Sequence, residues 1–343
     1  MPYGIPKVGR VSDAVKARLG GPAVAPDVVA AVLARYGLRP TSNARNLAQG
    51  WRSAIVAVDT NGGRKVVKAY RSGWDQGAIQ HEHSVIRELE RVGFPAVRVC
   101  AGPDGETIQE LDGVHFVVFD FVRGVNLASM HISRSRRQSL LVRSATTLAE
   151  LHDALVGFRP SGRHHLDEAV DVGSEWYVAA LEDLSHRESH TEFERALSAK
   201  AESLGDRIAE LAADVARYPY SWTTIHGDFG LHNLLFTSGG EVVVHDFELA
   251  RRERRMTDLV IVLGRLPAEL RPLFHAEFRK ATVDECLETR EPLEKLWELH
   301  ALQGAVRSWR NYAELGSEAR LQTALKRLGE ADRVARREAI WWM

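Results

Sequence analysis

Asp228, Asn233 and Asp246 are the residues whose types and spacing best suit chemistry. Asp228 and Asn233 belong to HGDFGLHN (226–233), where they are five residues apart, and Asp246 lies in VVVHDFE (242–248), eighteen residues after Asp228. A lone Asp or Asn often does no more than close a turn. Here the spaced set lies beside a strand-like run, and it is this context that gives the motif its meaning.

The stretch between the two motifs predicts a β-hairpin. The apolar runs LLF (234–236) and VVVHDF (242–247) flank the glycine-rich turn TSGG (237–240). A hairpin folds back on itself, so the loop before its first strand comes near the end of its second strand. We therefore expect the two carboxylates and the amide to converge on one point.

A convergent set of this kind suits phosphoryl transfer from a nucleotide. One carboxylate must orient the attacking hydroxyl and accept its proton, and hard oxygen ligands must hold magnesium on the phosphates. A carboxylate combined with an amide keeps the ligands oxygen-only while it limits the negative charge near the phosphates. The motifs therefore indicate a phosphotransferase that uses Mg²⁺.

A lysine in an apolar strand is the main candidate outside these motifs. Lys68 lies in RKVVKAY (64–70), and a buried ammonium without a partner is costly. Glu82, early in the next predicted helix, is the expected partner. Glu88 is the rival, but it lies six residues further on and therefore on a different helical face. A solvated edge lysine is the alternative interpretation.

The elements around these residues predict an α+β chain in two lobes. The N-terminal part reads as a short helix at 26–38, two strands at 51–59 and 64–70 around an Asn-Gly turn, and a helix at 76–93. A further strand follows at 113–122. Later residues are mainly helical in pattern, apart from the hairpin that carries the motifs.

Composition and charge give little indication of the protein's binding partners. Lys and Arg number 45 and Asp and Glu number 46, so the net charge of −1 gives no argument for nucleic acid or for a membrane surface. Cys100 and Cys286 are far apart and form no CxxC pattern, which fits a reducing compartment. The first residues lack an apolar signal core. We expect a cytoplasmic enzyme of unknown oligomeric state.

The sequence resembles the aminoglycoside phosphotransferase and choline kinase family, which has a protein-kinase-like fold. HGDFGLHN matches the family's HGDxxxxN loop, and HDFE is similar to its magnesium strand, where His245 stands in place of the usual apolar residue. TTLAELHDAL (146–155) is similar to the family's LAxLH helix, and TDLV (257–260) to its later Asp-Leu. The resemblance covers roughly residues 45–262.

The resemblance implies roles for the motif residues. Asp228 is implied to be the catalytic base, and Asn233 and Asp246 are implied to be the magnesium ligands. His226, His152 and Asp258 are implied to be structural. The implied nucleotide contacts are Lys68 at the α- and β-phosphates, paired with Glu82, then Gln49 and Ser53 near the phosphates, and the Asp120 carbonyl and the Val122 amide at the adenine.

The pattern of elements and the resemblance together predict a domain layout. It consists of an N-terminal arm with a short helix (1–40), a nucleotide-binding N-lobe (41–119), a hinge (120–126) and a C-lobe with the catalytic loop and substrate site (127–343). The implied reaction moves the γ-phosphoryl group of ATP to a hydroxyl of a small molecule, such as an aminoglycoside or other antibiotic, an amino sugar or an amino alcohol.

The substrate itself stays open at this stage. An acidic and aromatic stretch at 174–194 suits cationic aminoglycosides, whereas the mixture of Trp, His and Arg in 297–312 suits a substrate with hydroxyls, rings or an acid group. The basic run RRERR (251–255) is interpreted as a solvated surface, with contact to an anionic substrate as the alternative.

Two other functions compete with the phosphotransferase. A metal-dependent phosphohydrolase is one, because His226, His232, His245 and the neighbouring aspartates are a dense set of potential metal ligands. A nucleotide-binding pseudokinase is the other, because NLAQGWRSA (46–54) has only Gly50 where a phosphate-binding loop is expected.

Overall fold

The computed structural model describes residues 24–49, 53–70, 75–126, 133–164, 174–188, 191–287, 289–315 and 318–336. These residues fall into two compact units. Unit 1 is drawn from Met1–Ser129, Pro160–His165 and His232–Glu248, and unit 2 from Met130–Arg159, Leu166–Leu231 and Leu249–Met343.

Strands and helices alternate irregularly along the chain. The strands are β1 (Arg45–Gln49), β2 (Ser53–Thr60), β3 (Gly63–Tyr70), β4 (Gln109–Leu111), β5 (Val114–Asp120), β6 (Gly124–Asn126), β7 (Trp222–Ile225), β8 (Leu234–Thr237), β9 (Val242–Val244) and β10 (Arg251–Arg254). The helices are α1 (Pro26–Arg35), α2 (Gln76–Arg91), α3 (Arg134–Ala154), α4 (Ser174–Ser185), α5 (Glu192–Ser198), α6 (Ala201–Ala216), α7 (Met256–Arg265), α8 (Arg271–Ala281), α9 (Arg290–Leu315) and α10 (Glu318–Ala335).

Unit 1 is built on an antiparallel sheet of five strands in the order β1-β2-β3-β5-β4. Thr60 pairs with Gly63, so residues 61–62 form the two-residue Asn-Gly turn that the sequence predicts. β3 lies in the centre of the sheet, where Lys68 pairs with Ile55 of β2 and with Val117 of β5. The central position of β3 is what buries the lysine.

The two faces of this sheet carry different chemistry. Val56, Val67 and Val118 lie opposite one another on β2, β3 and β5, on one face of the sheet. They pack with Val32 and Leu33 of α1 in an apolar core. The opposite face carries Lys68, and α2 covers it with an acidic side chain, as described below. The side chain of Asp75 caps the start of α2 by accepting a hydrogen bond from the amide of residue 78 at 2.8 Å.

A second sheet places the motif hairpin in unit 1. β8 pairs with β9 as the sequence predicts, and β6 pairs with the other edge of β8, which gives the order β6-β8-β9. Val97 donates to the carbonyl of Val244 at 3.0 Å, and Val244 donates to the carbonyl of Pro95 at 3.0 Å. These bonds tie residues 232–248 to the N-terminal part of the chain.

Unit 2 is mainly helical. α3 packs on α8, and α9 packs on α6, α7 and α10. Leu148 and Leu151 of α3, Phe274 and Phe278 of α8, and Trp297 of α9 are almost fully buried. The short strands β7 and β10 pair antiparallel. No helix among the described residues has the length and apolar character needed to cross a bilayer.

The α+β class predicted from the sequence is confirmed. An antiparallel sheet dominates the N-terminal part, and helices dominate the C-terminal part. The lobe boundaries at 40, 119 and 126 stay a prediction. Most of the N-terminal arm, residues 1–23, lies outside the described residues.

Candidate active site

Lys68 is the centre of an ion cluster in unit 1. Its Nζ lies 3.3 Å from Oε1 of Glu82, 3.2 Å from Oδ1 of Asp246 and 3.3 Å from Oε2 of Glu248. Tyr70 donates its hydroxyl to the second oxygen of Glu82 at 2.6 Å, and its ring centroid is 4.6 Å from Nζ. The structure thus brings the predicted pair Lys68 and Glu82 together and adds two carboxylates from the motif hairpin.

The charge balance of this cluster is negative. Burial works against the charge of Lys68, but Glu82 and the other acidic groups outweigh it and raise the pKa of the lysine well above its ordinary value. Burial, and then Glu82, raise the pKa of Tyr70, so its phenol stays neutral and donates. Lys68 contacts three carboxylates, and an acidic environment of this kind suits a further cation at this place.

The motif hairpin positions Asn233 and Asp246. The amide of His245 donates to the carbonyl of Asn233 at 3.1 Å, which extends the β8–β9 ladder by one step. Asp246 follows directly, with a backbone φ of 68°, a left-handed conformation that is uncommon for residues other than Gly. Such strain persists where the surroundings fix it and is typical of functional sites. Asn233 is buried, and the Asp246 side chain is 36% exposed.

Glu248 is a member of the cluster that the sequence analysis missed. It lies two residues after Asp246, and its side chain is 15% exposed. The signal was present in the letters HDFE, since the residue after Phe247 is acidic. What the letters do not give is the 3₁₀ turn at Phe247–Leu249, which determines the direction of the side chain.

The HGD loop of unit 2 is held by Asp258 of α7. Its carboxylate accepts from the backbone amides of His226 and Gly227, both at 2.8 Å, and lies 3.0 Å from Nε2 of His152. Asp258, His152 and His226 are completely buried. The sequence resemblance implied that these three residues are structural, and their contacts are those of a brace for the loop.

Electrostatics favour a fixed protonation state for this brace. Burial opposes the charge of Asp258, but the hydrogen bond from His152 and the amide of His226 outweigh it and keep the pKa of the carboxyl below its ordinary value. Burial lowers the pKa of His152 despite its acidic neighbour. An ionised Asp258 and a neutral His152 that donates from Nε2 satisfy both conditions.

Gly227 cannot be replaced without moving the loop. Its φ is 78°, and a Cβ built there would lie 2.0 Å from the carbonyl oxygen of Leu249 and 2.5 Å from a guanidinium nitrogen of Arg251. Only glycine combines this backbone conformation with such a close approach. The tight turn leads directly into Asp228.

Asp228 is held by Arg265, the last residue of α7. The Arg265 Nη2 donates to the Asp228 carboxylate, and Nη1 donates to its carbonyl at 3.3 Å. The sequence analysis missed this arginine. It is seven residues after Asp258, which is about two turns of helix and therefore the same face. Because Asp258 holds the HGD loop, a residue on that face was a candidate for contact with Asp228.

The remaining predicted site residues all belong to unit 1. Ser53 begins β2 and is buried. Asp120 ends β5, where its carboxylate accepts from Nζ of Lys65 at 2.5 Å, and Val122 lies between β5 and β6. Gln49 ends β1, but its side chain and residues 50–52 lie outside the described residues. Asp228 belongs to unit 2, so its convergence with Asn233 and Asp246 stays a prediction.

The basic run at 251–255 is not the solvated surface that the sequence analysis favoured. Arg251 and Arg254 are part of β10 and half-buried, and Arg255 is 7% exposed. Arg255 bonds to Asp153, and the Arg254 guanidinium lies 4.9 Å from the ring of Trp222. Strand pairing with β7 and aromatic partners explain the burial, which a count of charges does not reveal.

The phosphohydrolase alternative gains no support from the geometry. In the described part of the chain, no group of three or more His, Cys, Asp and Glu side chains is arranged to hold a metal ion. The HD pair at 245–246 follows strand β9 rather than lying on a helix.

Residues 43–296 match the model of the phosphotransferase enzyme family. This match spans most of the chain, and the chain therefore belongs to that family, as the sequence motifs predicted. A homoserine kinase of Phenylobacterium zucineum is 24% identical over 240 residues, which are 69% of this chain and 68% of that protein. The chain thus belongs to an enzyme family, and the relative named here is a small-molecule kinase.

Solved structures of small-molecule kinases share the fold. An amicoumacin kinase in complex with AMP-PNP, Ca²⁺ and Ami aligns with a TM-score of 0.67 at 15% identity, over 94% of this chain and 96% of that chain. An ethanolamine kinase of Plasmodium vivax aligns with a TM-score of 0.65 at 12% identity, over 99% and 98%. A spectinomycin phosphotransferase with ADP and spectinomycin aligns with a TM-score of 0.63 at 12% identity, over 90% and 98%. The protein-kinase-like fold predicted from the motifs is confirmed.

Proposed function

We propose that this protein transfers the γ-phosphoryl group of ATP to a hydroxyl group of a small molecule. The observation that carries the proposal is the ion cluster of Lys68 with Glu82, Asp246 and Glu248. A buried lysine fixed by a helix glutamate, next to carboxylates that follow a strand, has the composition that nucleotide phosphates and their metal require. The family membership and the AMP-PNP and ADP named with two structural relatives support the choice of nucleotide.

The nucleotide contacts are assigned to unit 1. Lys68 binds the α- and β-phosphates, and Glu82 holds its ammonium in place, itself fixed by the hydroxyl of Tyr70. Gln49 and Ser53 lie near the phosphates in this assignment. The adenine contacts the Asp120 carbonyl and the Val122 amide within the hinge at 120–126, next to the N-lobe at 41–119.

Asp246 and Asn233 are suited to hold magnesium. Mg²⁺ prefers oxygen ligands and commonly uses one or two carboxylates together with phosphate oxygens and water. The carboxylates of Asp246 and Glu248 both lie within 3.3 Å of the Lys68 ammonium, which brings two oxygen ligands of the kind that magnesium prefers to one point. Bound there, magnesium would stabilise the charge on the β- and γ-phosphates.

Asp228 is the proposed base. It accepts the proton of the acceptor hydroxyl while the hydroxyl oxygen bonds to the γ-phosphorus. The bond from that phosphorus to the β–γ bridging oxygen breaks, ADP leaves with the bonding electrons, and Asp228 later passes the proton to water. Asp258 keeps the HGD loop in place through the amides of residues 226 and 227.

The acceptor belongs among small alcohols such as antibiotics, amino sugars, amino alcohols or hydroxylated amino acids. The names of the relatives, which include a homoserine kinase, an ethanolamine kinase and an amicoumacin kinase, favour this range. Neither a nucleic acid nor a membrane is part of the proposal. The two cysteines, far apart and free, agree with a cytoplasmic location.

The test is an ATP-dependent phosphorylation screen over these acceptor classes, followed by mass spectrometry of the products. Asp228→Ala is expected to lower turnover by about 10²–10⁴-fold, because general base catalysis contributes that much, while nucleotide binding measured by calorimetry persists. Asp332→Ala, at an exposed position of α10, is the matched control and keeps wild-type turnover.

Substantial turnover in Asp228→Ala would refute the assignment of the base. Binding of ATP without transfer to any acceptor in the panel would favour the pseudokinase, which the sequence analysis left open.

A further inference from the structure

Unit 2 contains a cavity of about 320 Å³ whose wall is mainly positive. Four cationic side chains and one acid line it, together with an aromatic ring. They are Arg265, Arg271, Lys326, Arg333, Glu330 and Trp297. A volume of this order fits a small metabolite rather than a large antibiotic.

The single acid of this cavity wall is already engaged. Glu330 accepts from Nε1 of Trp297 at 2.6 Å with one oxygen and from Nη1 of Arg327 at 3.1 Å with the other. It is 7% exposed. Glu330 therefore forms its ion pair with Arg327, a residue that does not line the cavity.

Apart from Arg265, which pairs with Asp228, the cavity cations lack acidic partners at ion-pair distance in the described part of the chain. Within the described residues, no carboxylate lies at ion-pair distance from Arg271, Lys326 or Arg333. Arg271 instead donates to the carbonyl of Leu266 at 3.0 Å and lies 5.3 Å from the ring of Trp297. Burial, and then the charge of Arg333, lower the pKa of Arg271, although Glu330 and Glu269 oppose this shift. Unneutralised guanidinium groups around a cavity favour an anionic ligand.

Arg265 connects this cavity to the proposed base. It lines the cavity and also holds Asp228. A guanidinium carries five N–H donors. Two of those of Arg265 bond to Asp228, and the other three have no hydrogen-bond partner in the part of the chain that the structure describes. A ligand in the cavity therefore reaches donors of the same guanidinium that touches the base.

The surroundings of His300 show that the positive field extends beyond the cavity. Burial, and then the charges of four arginines, hold the pKa of His300 well below its ordinary value, so its ring stays neutral. These arginines are Arg327, Arg307, Arg251 and Arg265. Arg251 lies against Gly227, and Arg307 donates to the hydroxyl of Tyr177 at 2.5 Å.

We propose that the acceptor is a small alcohol with an anionic group, such as a carboxylate, which binds in this cavity at Arg265 while the hydroxyl faces Asp228. The proposal rests on the phosphotransferase function and names its substrate class. A guanidinium fork matches a carboxylate with two parallel hydrogen bonds. Because Arg265 touches Asp228 directly, the anionic group and the hydroxyl must be joined by a short spacer.

Part of the acidic stretch at 174–194 is already engaged in contacts of its own. Asp183 pairs with Arg187 at 2.9 Å, and Glu194 is consumed in the capping box of α5 with Thr191. The aromatic side chains of the same stretch face cations, since the Arg310 guanidinium lies 5.2 Å from the ring of Trp176. A polycationic aminoglycoside would meet like charge near Asp228, which costs affinity.

Three acceptors of equal length and different charge test the proposal. They are 4-hydroxybutyrate, 1,4-butanediol and 4-amino-1-butanol, which carry a negative charge, no charge and a positive charge. We expect kcat/KM to be about 10-fold higher for the hydroxy acid than for the diol, because a hydrogen bond to a charged group typically contributes that much. We expect kcat/KM for the amino alcohol to be lower than for the diol. Homoserine and homoserine amide give the same comparison in an amino acid.

A charge-reversed variant links the preference to the cavity. Arg265 variants would disturb Asp228 as well, so Lys326→Glu with Arg333→Glu is the better choice. We expect KM for the hydroxy acid to rise at least about 10-fold, more than kcat falls. Lys200→Glu, which reverses a charge on an exposed position of unit 2 away from the cavity, is the control and leaves KM unchanged.

The outcomes separate this proposal from the phosphotransferase function. If neutral or cationic acceptors are phosphorylated best, the function stands and the anionic acceptor is wrong. If no acceptor is phosphorylated, thermal stabilisation by 4-hydroxybutyrate decides, since a ligand stabilises the folded state that binds it. Stabilisation of the wild type but not of the reversed variant supports the anion site, and equal effects or none overturn it.

Discussion

The ion clusters of the two units have opposite charge balance. In unit 1, a single ammonium, that of Lys68, faces three carboxylates. In unit 2, Arg265 and the cavity around it present four cations, while Glu330 is bound by Arg327. An acidic cluster recruits a cation and a basic one recruits an anion. The difference therefore separates the metal and nucleotide role proposed for unit 1 from the acceptor role proposed for unit 2.

The two clusters also differ in how they are protected from water. Lys68 is 5% exposed and Glu82 is 2% exposed at the side chain, whereas the Arg265 side chain is 35% exposed. A buried pair depends on the presence of both partners, while an exposed pair is screened and contributes little. Substitutions in the Lys68 cluster should therefore act on stability, and those of the exposed cavity cations on substrate affinity.

Lys68→Met has the largest effect expected from this contrast. It leaves three carboxylates facing one another, one of them almost fully buried, so we expect a loss of about 3–5 kcal/mol in the free energy of unfolding and loss of ATP binding. Urea denaturation and calorimetry measure both quantities.

Lys65→Met is the matched control on the same strand. Its partner Asp120 is 48% exposed at the side chain, so the expected loss is at most about 1 kcal/mol. Equal losses for the two lysines would show that burial does not distinguish the clusters.

Asp258→Asn tests the brace of the HGD loop in unit 2. The amide side chain has the same size but lacks the negative charge that accepts hydrogen bonds from the backbone amides of residues 226 and 227 and from His152. We therefore expect a loss of about 1.5–3 kcal/mol in the free energy of unfolding. Because the loop carries Asp228, kcat should fall more than KM rises. Asp153→Asn, which affects only a partly exposed pair with Arg255, should leave kcat unchanged, and a fall of similar size would contradict the brace.

The pH dependence of stability is expected to be a smaller effect, and it gives a further comparison between the two units. Burial lowers the pKa of His83 in unit 1 to about 3 and of His275 in unit 2 to about 4, and it also lowers that of His152. These rings stay neutral when folded but take up a proton when unfolded below pH 6.5. Their stabilisation is therefore complete above that pH and decreases as the pH falls.

We expect His83 and His275 each to cost up to about 1.4 kcal/mol per pH unit between pH 6.5 and 5, and His152 to act in the same direction. Hydrogen exchange at pH 7.5 and 5 should show a larger loss of protection in unit 2, which holds His152 and His275, than in unit 1. A His83→Asn variant should flatten the dependence in unit 1 only. Stability that does not change over this range would contradict the assignment of neutral rings.

Local patterns were sufficient for part of this structure. The Asn-Gly hairpin, the hairpin at 234–244 and the partner of Lys68 follow from strand alternation and from the cost of a buried ammonium, and those rules act over short stretches of sequence. The motif letters were specific enough to place the family and the fold.

The sequence motifs did not predict the contacts between residues that are far apart in the chain. The bond between Arg265 and Asp228 joins residues 37 apart in sequence, and the cavity is formed by α7, α8, α9 and α10 together. The run at 251–255 was misjudged because charge runs are usually solvated, whereas here a strand partner and aromatic rings cover it.

Gly227 has a practical consequence for screening. Since any side chain at this position collides with the Leu249 carbonyl oxygen and the backbone conformation is unsuited to other residues, all nineteen alternatives should be equally inactive in a saturation library. Their common score defines the background of a growth selection or a pooled assay. Variants of Lys326 or Arg333 that score above this background then report graded acceptor binding rather than a damaged loop.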